Sequence, residues 1–271
     1  MTPVTTLLRK RLLKWLEQHR YPYEQRGYNN LDRLYGVIRP GDVVLVEGRS
    51  EMSRLIKLFS GSSWSHAALY VGDALAEFGT PAQKRHLNRY GKDARHMLVE
   101  AFSGKGVIAS PISIYEDYNI RICRPYGILD TDLEQVILQV IGKIGMHYDD
   151  QNILEIALIA LQAIWRPVNR LSLKACLGNC NDFQVICSGM IAQAFQSVGY
   201  PIVPAMLPRN TPRDRLDAYS AANPYGGGLI MRHYTQISPK DFDLSPNFEI
   251  IKYNLNGNAG FDYKCLWVEK L

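Results

Sequence analysis

The sequence predicts an α+β fold, and three observations predict it. Short β-compatible runs bounded by Gly-Asp turns fill residues 41–123. Helix-period patterns occupy the middle of the chain. Strand patterns return after residue 228. Segregated strands and helices imply a mainly antiparallel sheet with helices packed on it. The 271 residues suffice for one large domain or two small ones. An apolar fraction of 46% with 21% charge is ordinary globular usage, which excludes disordered, collagen-like and coiled-coil classes.

The elements follow in order. Leu8, Leu12, Trp15 and His19 share one face of a helix over 5–19, flanked by Arg9, Lys10, Arg11 and Lys14. Gly41-Asp42 turns the chain into Val43–Val46, and a short helix is expected over 51–59. His66–Val71, Met97–Phe102, Val107–Ile112 and Ile120–Cys123 read as strands. Residues 78–96 are polar and basic and read as an inserted loop. A helix is expected from an N-cap at Asp130 or Thr131, burying Leu133, Val136, Ile137, Val140 and Ile144. Another covers about 151–165, and 166–183 is irregular. The next helix starts at Cys187, buries Met190, Ile191, Ala194, Phe195 and Val198, and stops at Gly199. Leu229–Tyr234, Phe248–Tyr253 and Tyr263–Val268 read as strands, with Asn256-Gly257-Asn258 as a turn. The expected organisation is an N-terminal amphipathic extension over 1–35 and a single catalytic domain over 36–271, with inserts at about 78–96 and 150–183.

Charge is unevenly spread. Residues 1–40 hold eight Lys/Arg against three Asp/Glu, whereas residues 41–271 hold 23 of each. A neutral body argues against a nucleic-acid partner. No secretory signal is visible, so a cytoplasmic location is expected, with signal-less export left open. The most apolar stretch, Ile153–Trp165, has 13 residues and includes Glu155 and Gln162, too short to span a bilayer. It reads either as a buried helix or as the wall of an apolar substrate channel. Five cysteines without a signal peptide suggest free thiols. Cys176 and Cys180 lack a second pair with ligand spacing, so no metal is expected.

Three residues have chemical potential. Cys187 follows the apolar Val185-Ile186 and precedes Ser188-Gly189 at the start of a helix. The positive end of the helix dipole lowers a thiol pKa there, and free N–H groups can hold an oxyanion. His66 opens an apolar strand, and Glu100 lies within another. A carboxylate in such a strand needs a partner, for which His66 is a candidate. Each also has a plainer reading: a buried structural cysteine, a satisfied core histidine and an edge-strand charge.

Taken in order, Gly41-Asp42-Val43-Val44-Leu45, Ser65-His66-Ala67-Ala68-Leu69-Tyr70-Val71-Gly72, Val99-Glu100-Ala101 and Ile186-Cys187-Ser188-Gly189 resemble the circularly permuted branch of the NlpC-type papain-like superfamily, nearest the YiiX/YebB-like hydrolases. Gly145-Met146-His147-Tyr148-Asp149 and the segment Thr235–Pro246 resemble further parts of that pattern. The resemblance implies a papain-like fold in permuted order, with a small antiparallel sheet or barrel packed on the nucleophile helix. It implies Cys187 as nucleophile, His66 as base and Glu100 as orienting residue. Tyr148, Ser188 and Tyr70 are the expected substrate or oxyanion contacts.

The expected activity is that of a cysteine hydrolase or acyltransferase. It would act through a thioester on an amide or ester, with a lipid-like or N-acyl substrate. A peptidase or amidase on a γ-glutamyl or cell-wall peptide is the alternative, and a catalytically silent binding module is a third. No cofactor is expected. The partners expected are a small-molecule, lipid-like or peptide substrate and a peripheral membrane contact through residues 5–19.

Overall fold

The computed structural model describes Trp15, Gln18 and residues 23–26, 29–102, 105–146, 187–206 and 229–253. In chain order its elements are α1 (Leu31–Val37), β1 (Val43–Val46), α2 (Glu51–Ser60), β2 (His66–Gly72), α3 (Ala74–Phe78), α4 (Pro81–Leu87), a 3₁₀ segment (Asn88–Arg95), β3 (Met97–Phe102), β4 (Gly106–Pro111), β5 (Ile120–Pro125), α5 (Asp130–Gly142), α6 (Cys187–Ser197), β6 (Pro204–Met206), β7 (Leu229–Met231), α7 (Pro239–Asp243) and β8 (Phe248–Ile251).

Six strands form one antiparallel sheet in the order β4-β3-β2-β1-β5-β8. Its two outer strands, β4 and β8, are not paired with each other, so among the described residues the sheet is open rather than a barrel. β6 and β7 form a separate antiparallel pair. The strands at the centre are apolar on both faces because both are covered. On one face Val43, Leu45, Ala67, Leu69, Val71 and Val99 pack with α5, α6 and Phe242 of α7. On the other, Val44, Val46, Ala68, Tyr70, Leu98 and Ile122 pack with Leu34 of α1, Ile112 and Tyr115.

The turn into β1 follows from Gly41 and Asp42. Gly41 has φ +93°, and a Cβ there would lie 2.3 Å from Cδ1 of Leu133, so only glycine fits. Asp42 is buried, accepts from the Arg39 N–H at 2.8 Å and takes both arms of Arg124, at 2.8 and 2.7 Å. This bidentate pair ties the start of β1 to β5.

The structure corrects three expectations. Residues 78–96 are largely helical rather than a loop. Thr80 and Gln83 form a capping box for α4, with Pro81 at its first position, so helix formation there rests on capping rather than on an apolar stripe. The N-cap of α5 is Leu129, and Asp130 stands inside the first turn. β7 stops at Met231, short of Tyr234, which opens a 3₁₀ turn. The helix at 151–165, the irregular 166–183, the turn at 256–258 and the strand at 263–268 lie outside the described residues. So does the helix over 5–19, apart from Trp15, which is helical and exposed, and Gln18, whose carbonyl accepts from the Glu51 N–H at 3.0 Å. Among the described residues, no helix is long and apolar enough to cross a membrane.

Replacing Asp42 with Ala strands the largely buried Arg124 guanidinium. We expect a loss of about 3 kcal/mol in urea unfolding, typical of breaking a buried ion pair. An unchanged midpoint would contradict the role assigned to the pair.

Candidate active site

Glu100 lies on β3 with no solvent exposure. A buried carboxylate persists only if its oxygens are occupied. Oε2 accepts from the Tyr115 hydroxyl at 2.5 Å and meets Nε2 of His66 at 2.7 Å, while Oε1 accepts from the Ser110 hydroxyl. Backbone register explains the convergence. Leu98 faces Ser110 across β3 and β4, which puts Ser110 two positions along from the partner of Glu100 and on the same face. Ala68 faces Glu100, so His66 stands two positions along on the other side. Tyr115 arrives from the 3₁₀ turn Ile112–Tyr115 after β4.

His66 is the first residue of β2, at the end of the sheet. Its ring stacks against Phe102 with centroids 5.0 Å apart. With Nε2 committed to Glu100, Nδ1 is left for the thiol of Cys187, to which the imidazole is hydrogen bonded. Cys187 is buried at the first position of α6. The backbone N–H groups of Ala67 and Ser188 also favour its thiolate form. The thiol belongs to the core layer on one face of the sheet and Tyr115 to the layer on the other. The line Cys187–His66–Glu100 therefore crosses the sheet end from face to face.

The electrostatics point one way. Burial alone would raise the Cys187 thiol, but the charge and hydrogen bond of His66 and the two backbone N–H groups outweigh it, so its pKa is lowered. Burial likewise disfavours imidazolium at His66, but the Cys187 thiolate and Glu100 overcome it and raise its pKa to about 10. Each group thus favours the charged form of the other, thiolate on Cys187 and imidazolium on His66. Cys123, the other described cysteine, shows the opposite case: buried in β5 without a cationic hydrogen-bond partner, its thiol is pushed up and inert.

The structure brings together Cys187, His66 and Glu100, and adds Ser188 through its backbone N–H. The Ser188 hydroxyl is spent elsewhere, donating to the Ile237 carbonyl at 2.8 Å. Tyr70 is not at the site. It stands four positions from His66 along β2, roughly 13 Å at the usual rise, and its hydroxyl pairs with Nδ1 of His96 at 2.8 Å. Its environment is the α1 face of the sheet, where the Tyr35 ring stacks on His96 at 3.6 Å. Tyr148 lies outside the described residues. Ser110 and Tyr115 are the partners that reading the sequence missed; the hint was a buried carboxylate needing donors beside a strand that carries a lone hydroxyl. Among the described residues, no group of three or more His, Cys, Asp and Glu could hold a metal ion.

The carboxylate's contribution to the imidazolium can be measured. An NMR titration of the His66 ring should give a lower pKa in Glu100→Gln than in the natural protein, by on the order of one pH unit, since the favourable charge is gone. An unshifted or higher value would show that Glu100 does not act on the ring.

The model of a family described as permuted papain-like amidase enzymes, YaeF/YiiX, C92 family, matches residues 37–155. The match includes His66 and Glu100 and ends before Cys187, whose placement rests on the geometry above. Among solved structures, that titled the metalloprotein yiiX from Escherichia coli O157:H7 is similar, with 14% identity, a TM-score of 0.43 and coverage of 79% of this chain and 97% of the other. No curated protein matches. Residues 37–155, with the histidine and the carboxylate of the site, are thus similar to the permuted papain-like amidase family of the YaeF/YiiX type.

Proposed function

We propose that the chain is a cysteine amidase that works through a thioester on Cys187. The observation that carries this reading is the buried line Cys187–His66–Glu100, in which the imidazole is tied to the carboxylate at 2.7 Å and lowers the pKa of the thiol beside it. The thiolate attacks the amide carbonyl carbon, and the oxyanion that forms is held by N–H groups at the start of α6, which have no partner within the helix. His66 gives its proton to the departing amine nitrogen as the carbon–nitrogen bond breaks, leaving a thioester. A water then gives a proton to His66 and attacks the thioester. Carboxylic acid and thiolate part, and the imidazolium is restored. Glu100 holds the ring in line throughout, and Tyr115 and Ser110 hold Glu100. An amide is the proposed substrate because the matched family is one of amidases. A thiol whose pKa is lowered despite its burial speaks against a fold kept only for binding.

Mass spectrometry after mixing with a panel of N-acyl amides should trap the acyl group on Cys187. Cys187→Ser should lose turnover, and His66→Ala should lose about a hundredfold or more. The rate should hold through neutral pH, fall in acid as the thiolate is protonated, and fall in alkali as His66 loses its proton near pH 10. Acyl groups appearing on another residue, or full turnover in Cys187→Ser, would overturn the proposal.

A further inference from the structure

A cavity of about 290 Å³ opens beside Trp64, just ahead of β2. Its lining includes Arg26, Trp64, Arg121, Lys240, Asp243 and the serines 62 and 63. Trp64 lies two residues before His66, and Arg121 stands opposite Leu45 on β5. Trp64 and Leu45 belong to the same core layer as Cys187. The cavity thus shares the sheet face and the sheet end with the thiol, and Arg121 on β5 stands two strand spacings from the His66 strand, roughly 10 Å.

The cavity is built and it is cationic. Its one described carboxylate is already spent: Asp243 takes Arg121 on Oδ1 and the Trp64 indole N–H on Oδ2, the latter at 2.9 Å. Arg121 also lies 5.1 Å over the Trp64 ring, so its plane is fixed. Lys240 donates to the Ser60 carbonyl at 3.0 Å and has no carboxylate partner among the described residues. Arg26 reaches in from the exposed side and shares Glu47 with Lys57. Three cations thus face the cavity against one carboxylate, which Arg121 pairs, with serine hydroxyls beside them, and Arg121 and Lys240 are braced.

Resting on the reading of Cys187 as nucleophile, we propose that this cavity is a subsite for a carboxylate of the substrate, held by Lys240 and Arg121 while the amide bond lies at Cys187. The substrate class this defines is an amide that bears an anionic group a few bonds from the scissile carbonyl. A fixed guanidinium and a braced ammonium converge on such a group with little ordering cost.

The test uses two thiol probes of equal length, 6-maleimidohexanoic acid and its primary amide, which differ only in the terminal charge. In the natural protein the acid should label Cys187 about tenfold faster than the amide, the size of one charge-assisted contact. Raised salt should shrink the ratio. Lys240→Met should bring it near one, Lys240→Arg should keep it, and Lys84→Met, a remote lysine, should leave it alone. If the amide labels Cys187 rapidly but the acid has no advantage, the subsite is wrong and the nucleophile stands. If both label Cys187 no faster than a free thiol, the nucleophile reading falls and takes the subsite with it.

Discussion

A carboxylate without access to water cannot remain charged unless its oxygens are filled, and Glu100 fills them from three directions. Each donor comes from a different element: His66 from the neighbouring strand, Ser110 from the strand on the other side, and Tyr115 from the turn that follows. The position of the imidazole is a consequence. Its ring cannot rotate away without breaking its bond to Glu100 and leaving Oε2 with one donor fewer, which in a buried site costs more than the bond itself is worth. The catalytic geometry and the stability of this sheet region are thus one set of contacts.

The same logic extends to the thiol. Burial works against charge on both Cys187 and His66, yet the charge of each favours that of the other and outweighs it. The start of α6 and the amide of Ala67 at the head of β2 meet at the sulfur, so the helix and the strand converge on one atom. Asp42 and Arg124 play an analogous part further along the sheet, where a buried ion pair joins β1 to β5 and fixes the turn from which β1 starts. The cationic cavity beside Trp64 lies near the same sheet end. The proposed attack, orientation and recognition of substrate charge would thereby gather at the mouths of β2, β1 and β5.

Much of this was legible in the sequence, for a physical reason. Cys187, His66 and Glu100 each break a local pattern: a thiol where an apolar run becomes a helix, and polar groups in apolar strands. The strands themselves matched closely, since β-branched runs between Gly-Asp turns leave few alternatives. Ser110 and Tyr115 were not legible, because what makes them partners of Glu100 is the register of β3 against β4 and a turn beyond it, neither of which is local. Tyr70 misled for a related reason. It shares a strand with His66 and a side of that strand, but distance along the strand places it under α1. Residues 78–96 looked like a loop because their helices carry polar faces and owe their start to Thr80, Pro81 and Gln83 rather than to apolar periodicity.

The proposed chemistry requires an ionised thiol at Cys187 in the resting protein. Thiolate absorbance near 240 nm, followed against pH as the difference between the natural chain and Cys187→Ser, measures it directly. The midpoint should lie below that of an ordinary cysteine and should rise when His66 is replaced by Ala. A midpoint at or above the ordinary value, unmoved by the loss of His66, would contradict it.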